Sequence, residues 1–197
     1  MPVLPQSFFA RPVEELAPAL LGCRIKRGPV VLRITEVEAY AGPEDSASHA
    51  RFGPTDRNAP MWGPAGRAYV YLCYGIHNML NVTADAPGRA AAVLIRACEP
   101  ERGLAEIRRR RGVELGPSSL AGPGKVGAAL ALDTAWSDHP LYRAGGLSLL
   151  AGPPPERILA GPRVGIEFAC AEDQRRAWRF ASGDSDWVSH RRGLGER

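Results

Sequence analysis

The spacing of hydrophobic positions changes along the chain and divides it into helical and extended stretches. In residues 7–21 the apolar side chains recur at helical intervals, with Pro12 near the start and Gly22 where a helix commonly ends. This stretch predicts an amphipathic helix that packs on a sheet. Helical spacing returns in residues 101–112 and 124–132.

The segment VVLRITEVEAY, residues 30–40, is β-branched and alternates in polarity, which predicts a strand. With regular alternation, one face begins with apolar side chains and ends with carboxylates and a tyrosine. That face consists of Leu32, Ile34, Glu36, Glu38 and Tyr40. Such a strand leaves the hydrophobic core and enters a polar pocket.

Residues 41–67 show no hydrophobic periodicity and are rich in Gly, Pro, Asp and Asn. Connections longer than about 12 to 15 residues are uncommon in compact domains and are usually functional or disordered. His49, Phe52, Met61 and Trp62 lie within this segment. These side chains favour an ordered binding loop.

Two strand-like runs, residues 68–73 and 78–84, flank the sequence Tyr-Gly-Ile-His at 74–77. Glycine between two such runs predicts a β-hairpin. The next run, residues 90–97, predicts a buried strand whose apolar series is interrupted by Arg96.

The rest of the chain contains shorter strand-like segments, and nothing in it marks a domain boundary. Further strands are predicted in residues 147–150, 163–169 and 178–181. Residues 151–157 predict a loop, and residues 191–197 predict a frayed tail. A chain of 197 residues with 45% hydrophobic content is expected to form the single domain 1–197.

Composition narrows the classes of protein to consider. No run approaches the roughly 18 apolar residues of a membrane helix, and the N-terminus lacks the order of a signal peptide, so we expect a cytoplasmic protein. The net charge of +4 and the pI of about 9.1 only just reach the range typical of nucleic-acid binding. The high arginine content by itself indicates a GC-rich coding genome, and the protein is expected to be bacterial.

The four cysteines lack the spacing of metal ligands or of a disulfide framework, so we expect buried apolar thiols and no metal site. They are Cys23, Cys73, Cys98 and Cys170.

Candidate chemistry begins with Glu36 and Glu38, because a carboxylate in a pocket can orient and deprotonate water. The pattern does not separate the two, and both fit equally well as solvated carboxylates at a strand end. A carbohydrate glycosidase that uses both is disfavoured, since its acid and base should flank the substrate rather than share a strand face.

Several aromatic residues could hold a flat ligand such as a nucleobase, although aromatic side chains on alternating strand positions are more often part of a core. They are Tyr40, His49, Tyr69 and Tyr71. Tyr74 lies beside Gly75 at the predicted hairpin tip, where its flat ring could insert between stacked bases. Lys125 lies in a G-x-G-x-x-G stretch that follows no predicted strand, which disfavours a dinucleotide-binding site. The stretch opens a predicted helix, whose N-terminus together with Lys125 could bind a phosphate.

Seven stretches occur together in an order that resembles the alkyladenine (3-methyladenine) DNA glycosylase family of the non-helix-hairpin-helix type. They are SFFARPVEELAPALLG, TEVEAYAGPEDSASH, AYVYLCYGIHNMLNV, AVLIRACEP, GPGKVGAAL, PRVGI and WRF…WVS. The resemblance extends from about Ser7 to about Ser189. Two departures are His77, in the return strand of the hairpin, and Asp186, where a proline is common.

The resemblance implies an α+β fold: a mostly antiparallel, curved sheet with surrounding helices and a protruding hairpin, similar to the barrel-like C-terminal domain of formyltransferases. It implies a base-excision-repair enzyme that flips alkylated or deaminated purines out of duplex DNA and hydrolyses the N-glycosidic bond, leaving an abasic site. Such an enzyme is expected to be monofunctional and monomeric, to need no cofactor, and to associate with the nucleoid. The alternative is a non-catalytic nucleic-acid-binding module of the same fold.

The resemblance also implies roles for individual residues. Glu38 activates the water, and Arg96 and the main-chain carbonyl of Val164 help to hold it. Tyr74 takes the vacated place in the duplex. The residues implied to surround the flipped base are Tyr40, His49, Tyr71 and Asn81, the last of which excludes the amine of undamaged guanine.

Overall fold

The structure, a computed structural model, describes residues 1–197 and contains one nine-stranded sheet. The strands are β1 (Arg24–Arg27), β2 (Val30–Tyr40), β3 (Ala68–Cys73), β4 (His77–Thr83), β5 (Ala92–Arg102), β6 (Leu147–Leu150), β7 (Ile158–Gly161), β8 (Arg179–Ser182) and β9 (Gly195–Glu196). The helices are α1 (Val13–Leu20), α2 (Ala59–Trp62), α3 (Leu104–Arg111), α4 (Pro123–Ala129) and α5 (Ala171–Arg175). The predicted α+β class is confirmed.

All strand pairs are antiparallel, and the main path through the sheet is β3-β4-β5-β2-β8-β7-β9. Strand β1 pairs with both β2 and β6 off this path. The two longest strands, β2 and β5, therefore form the centre of the sheet. Consecutive strands pair at β1–β2, β3–β4, β4–β5 and β7–β8, whereas the central β5–β2 pair and the β2–β8 pair join segments far apart in the sequence.

Helix α1 packs against β2 through its apolar face. Glu14 and Glu15 occupy its first turn, where carboxylates complement the positive end of the helix dipole. After the helix, Gly22 adopts a φ of +84°, and its N–H donates to the carbonyl of Ile34 at 2.9 Å. A Cβ here would lie 2.0 Å from the carbonyl oxygen of Pro153, so only glycine fits this approach.

The predicted strand at residues 30–40 is confirmed to the residue, but its alternation is broken by a β-bulge. Thr35 has no partner in β5, and the register shifts between Ile34 and Val37. The main core cluster takes Leu32 and Ile34 before the bulge and Val37 and Ala39 after it. One extra residue moves every later side chain to the other face of the sheet.

The prediction that Glu36 and Glu38 share a face with Leu32 and Ile34 is therefore wrong. Both glutamates and Tyr40 lie on the face opposite the main core cluster, where the carboxylates meet arginine side chains. The bulge allows one strand to fill the core with its first half and to present carboxylates to a different environment with its second half.

The predicted hairpin is confirmed, with β4 beginning at His77 rather than at residue 78. Tyr74 adopts a positive φ of 51° in the turn, and Gly75 follows with a φ of 71°. The Tyr74 side chain is 90% exposed, and Ile76 is 73% exposed. The hairpin tip thus presents apolar side chains directly to solvent.

Three expectations from the sequence differ from the structure. Residues 163–169 form an irregular segment rather than a strand, because Gly165 turns the chain with a φ of +75°. The tail predicted to fray contains β9, which pairs with β7 through Leu159 and Ala160. Of the four cysteines expected to be buried, Cys170 is exposed and Cys73 is half-buried.

The expected binding loop at residues 41–67 contains a 3-10 helix, His49–Phe52, and helix α2. Its order comes partly from Asn58, a buried residue whose side-chain amide donates to the carbonyls of His49 and Gly53 at 3.0 Å each. None of the helices in the structure is both long and apolar enough to cross a bilayer.

Candidate active site

A pocket of about 470 Å³ opens beside the β3–β4 hairpin and collects side chains from distant parts of the chain. This volume is typical of small-ligand sites, which span roughly 300 to 1,000 Å³. Of the eight residues to which the resemblance assigns roles, seven line it: Tyr40, His49, Tyr71, Tyr74, Asn81, Arg96 and Val164.

Glu38 is completely buried directly behind this lining. Its Oε2 accepts hydrogen bonds from the Tyr40 hydroxyl at 2.8 Å and from Arg96 Nη1 at 3.3 Å. Its Oε1 accepts the main-chain N–H of Val164 at 2.7 Å. All three partners line the pocket, so the carboxylate lies directly beneath the pocket surface.

Burial raises the pKa of Glu38, because a dry environment disfavours its charged form. The charge of Arg96 and the hydrogen bonds from Val164 and Tyr40 act in the opposite direction, whereas the charge of Glu36 adds to the increase. The result is a carboxylate with a stronger affinity for a proton than an exposed glutamate has.

Glu36 is also completely buried but is held differently. Its Oε1 accepts hydrogen bonds from Arg96 Nε at 3.2 Å, Arg179 Nη1 at 3.2 Å and the Ser189 hydroxyl at 3.0 Å. Its Oε2 accepts the Ser189 N–H at 2.6 Å. Glu36 therefore ties the C-terminal segment to the sheet and fixes the guanidinium of Arg96.

Arg96 connects the two carboxylates. Burial lowers the pKa of this side chain, but the charges of Glu38 and Glu36 raise it by more, so the guanidinium stays charged. Its position follows from the register of β5, where Arg96 is skipped as the pairing shifts from Ala97 to Ile95. Arg96, which interrupts the apolar series of this strand in the sequence, thus brings a positive charge to the two carboxylates.

Three rings form one wall of the pocket. The His49 ring meets Tyr71 edge-on with centroids 4.5 Å apart, and Tyr69 lies 5.4 Å from Tyr71. His49 Nδ1 lies 2.9 Å from the Tyr69 hydroxyl, which fixes the orientation of the imidazole. Burial among these rings lowers the pKa of His49, and the nearby cations Arg57 and Arg51 lower it further. Although His49 keeps an exposed side toward the pocket opening, all these effects favour the neutral ring.

Asn81 is buried in β4, and its side-chain amide donates to the main-chain carbonyl of Tyr69 at 3.1 Å. This bond crosses the directly paired positions of β3 and β4. Because the side chain is anchored to the backbone, its position in the pocket lining is rigid.

Lys125 lies outside the pocket, in a neighbouring groove with His77 and Arg111. Its Nζ donates to the carbonyl of Ser118 at 2.7 Å. Helix α4 approaches the hairpin so closely that a Cβ on Gly124 would lie 2.8 Å from the His77 ring. The groove therefore lies at the root of the hairpin that carries Tyr74.

The sequence reading missed one important contributor, Arg163. Its guanidinium is fully buried and forms a two-pronged ion pair with Asp45 at 2.6 and 2.8 Å, and it also donates to the Ala39 carbonyl at 2.9 Å. It lies 4.8 Å from the Tyr40 ring centroid. Val164 is the next residue in the chain. The Arg163–Asp45 pair therefore holds two hydrogen-bond partners of Glu38 in place, Tyr40 and Val164. No periodic pattern marks a buried arginine in an irregular segment.

Known proteins are similar to this chain over almost its whole length. A protein of Nitrosococcus oceani assigned as a 3-methyladenine DNA glycosylase is 56% identical over 195 residues, covering 99% of this chain and 97% of that protein. The DNA-3-methyladenine glycosylase of Arabidopsis thaliana is 55% identical over 191 residues, which cover 96% of this chain and 75% of the plant protein.

The family model described as methylpurine-DNA glycosylase matches residues 7–186, which include every predicted site residue. The match covers most of the chain, including the buried Glu38 and the aromatic pocket in front of it. The protein therefore belongs to the methylpurine-DNA glycosylase family.

Proposed function

We propose that the protein flips alkylated or deaminated purines out of duplex DNA into the aromatic pocket and hydrolyses the bond between base and sugar. The observation that carries this proposal is the placement of Glu38, whose hydrogen-bond partners all line that pocket. A base stacked in a duplex cannot reach such a group, so the nucleotide has to leave the helix first. The products are a free base and an abasic site.

Glu38 is assigned as the base that deprotonates the attacking water, and Glu36 as the residue that positions Arg96. Glu36 accepts four hydrogen bonds from the protein, and three of them come from Arg179 and Ser189, which do not line the pocket. Glu38 accepts three, each from a group at the pocket surface. A carboxylate also stabilises the positive charge that develops on the sugar as the bond breaks.

Arg96 and Val164 are proposed to hold the water beside Glu38. In the structure Val164 uses its N–H on the carboxylate, and its carbonyl is the proposed contact to the water. The base itself is proposed to stack among Tyr40, His49 and Tyr71, because stacking on aromatic rings contributes about 1 to 3 kcal/mol per base.

Asn81 and Lys125 complete the assignments. Because Asn81 is anchored on the Tyr69 carbonyl, it cannot withdraw from an extra amino group, and this rigidity supports exclusion of undamaged guanine. Lys125, in the groove at the hairpin root, is proposed to contact a DNA phosphate. Every assigned residue comes from one chain, so a monomer is sufficient.

The proposed reaction is tested with oligonucleotides that each contain one 3-methyladenine, 7-methylguanine, hypoxanthine or ethenoadenine. Release of at least one of these bases is expected. Release of none would favour the binding module, which needs no water-activating carboxylate.

The mechanism is proposed to be purely hydrolytic. A lyase needs an amine that forms a Schiff base with the sugar, and neither of the two lysines, Lys26 and Lys125, lines the pocket. Borohydride added during the reaction should therefore trap no covalent protein–DNA adduct. A trapped adduct would overturn the water mechanism.

Tyr74→Ala is expected to weaken retention of the flipped nucleotide. The 90% exposed ring can fill the gap in the base stack, and alanine leaves that gap empty. Stopped-flow fluorescence with a base analogue beside the lesion measures the lifetime of the flipped state. Tyr74→Phe, which keeps the ring, should behave like the wild type; an equal loss in both variants would contradict the wedge role.

The acid limb of the pH–rate profile is expected to lie above the range of an ordinary glutamate, whose pKa is about 4.3. Glu38 has to be ionised to accept a proton, and its raised pKa keeps it protonated to a higher pH. The measurement is kcat/KM against pH on a lesion duplex. His49→Gln is the control, because removing the imidazole should leave this limb in place.

The raised pKa of Glu38 also makes stability depend on pH: activity requires the ionised carboxylate, whereas the fold is stabilised by the protonated one. Because the folded state binds the Glu38 proton more tightly than the unfolded state, this group stabilises the fold below its unfolded pKa, and that contribution is lost as pH rises through the folded pKa. Holding the carboxylate ionised behind the pocket thus costs stability at neutral pH.

A further inference from the structure

Two phenylalanine side chains are exposed near the pocket without a hydrophobic partner surface. Phe52 is 85% exposed and Phe168 is 63% exposed. The guanidinium carbon of Arg51 lies 4.6 Å from the Phe52 ring centroid and 5.0 Å from that of Phe168. These three residues are called the rim stack. Arg51 covers only part of each ring, so both phenylalanines keep free aromatic surface.

The rim stack adjoins the pocket on both of its segments. Phe168 itself lines the pocket, and Arg51 and Phe52 lie in the 3-10 helix that begins with the pocket residue His49. This short helix is well anchored, because the buried Ser48 caps it and accepts the Ala50 N–H at 3.0 Å. The stack is therefore continuous with the proposed DNA-binding surface.

The orientation of Arg51 is also fixed, since its Nη1 donates to the Ser48 carbonyl at 3.1 Å. A guanidinium held in this way supports the rings and adds positive charge next to them. Glu167, the neighbour of Phe168, is exposed as well and disfavours a phosphate at this place. Exposed ring faces beside a fixed guanidinium suit the flat face of a nucleobase, with which both phenylalanine and arginine stack.

We propose that the rim stack binds an unstacked base of the DNA strand next to the flipped nucleotide. Its location beside a lesion rests on the proposed function: Tyr74 fills the place of the flipped nucleotide, so an adjacent base meets the rim stack only where it leaves the stack and exposes its ring faces. Single-stranded DNA offers such faces without any cost of unpairing. The rim stack therefore gives this enzyme an affinity for single strands that does not depend on the Tyr74 wedge.

The test is fluorescence anisotropy with an undamaged single-stranded oligonucleotide and with the matching blunt duplex. A contribution of about 1 to 3 kcal/mol per stacked base corresponds to about 5- to 150-fold in affinity. Phe52→Ala/Phe168→Ala should weaken single-strand binding by a factor in this range and leave duplex binding within a factor of a few. Val113→Ala, which shortens another exposed apolar side chain far along the chain, should change neither.

Chemical replacement separates stacking from simple apolar contact. Phe52→Tyr/Phe168→Tyr should retain single-strand affinity, because tyrosine keeps a π face, whereas Phe52→Leu/Phe168→Leu should lose it. Equal single-strand affinity of the wild type and the folded alanine variant would overturn the proposal. So would conversion of a wild-type oligomer to monomers by the same variant in sedimentation, since the rings would then serve self-association.

The binding measurement does not need base release, so it is separable from the proposed function. In one outcome the wild type releases no damaged base, but the alanine variant binds single strands more weakly than the wild type does. The glycosylase mechanism then fails, and the rim stack stands as a nucleic-acid contact. If bases are released normally and the alanine variant binds single strands like the wild type, only the rim stack fails.

Discussion

Glu38→Gln is expected to lower the single-turnover rate of base release about 10²- to 10⁴-fold, which corresponds to about 2.7 to 5.4 kcal/mol in the activation barrier. Glutamine keeps the shape of the side chain and can still receive the Val164 N–H, but it cannot take a proton from water. The dissociation constant for lesion DNA should change little, because Glu38 is buried behind the pocket lining.

Glu36→Gln is the matched control, two residues away on the same strand. It removes charge from the group that holds Arg96, Arg179 and Ser189, so its main effect should be a lower melting temperature. Its rate is measured on protein shown to be folded by circular dichroism. A larger loss of rate from Glu36→Gln than from Glu38→Gln would reverse the assignment of the base.

Arg163→Ala is expected to reduce the free energy of unfolding by about 3 to 5 kcal/mol, because it leaves the buried carboxylate of Asp45 without its partner. For a chain of this size, that corresponds to about 6 to 20 °C in melting temperature. Asp45 would keep only its hydrogen bonds from the N–H groups of Ala41 and Ala47. Calorimetry or thermal denaturation followed by circular dichroism gives the measurement.

The double variant Asp45→Ala/Arg163→Ala should recover part of this loss, since it removes both buried charges together. Arg157→Ala is the surface control. Its ion pair with Asp184 is exposed, and exposed pairs contribute about 0 to 1 kcal/mol. A loss from Arg163→Ala no larger than that from Arg157→Ala would contradict the structural importance of the buried pair.

The sequence located most of the elements that build the site. The strand at residues 30–40, the hairpin beyond residue 67 and the buried strand interrupted by Arg96 are all present, because each has a strong local signal of alternation, glycine or apolar continuity. Weaker local signals gave errors. Residues 163–169 look like a strand, yet Gly165 turns the chain, and the last residues form β9 only because the edge of β7 is available for pairing.

The choice between Glu36 and Glu38 shows where the local signal ends. Both are carboxylates at the end of one strand, and the pattern gave them equal standing until the family resemblance favoured Glu38. The structure supplies a physical difference: Glu36 is enclosed by Arg179 and Ser189, whereas every partner of Glu38 reaches the pocket. These partners come from residues up to 153 positions away for Glu36 and 126 for Glu38.

The sequence by itself determined the long strand at residues 30–40, the hairpin and the strand interrupted by Arg96 and, through its ordered motifs, the family. Only the tertiary structure decided which face each side chain occupies, because the bulge at Thr35 reverses the alternation. It also decided which groups meet at the pocket and which residues hold them there, Arg163 above all. The physical reason is that the alternation of side chains along a strand depends on residues close together in the sequence. Burial, ion pairing and the raised pKa of Glu38 depend on contacts between segments far apart in the sequence.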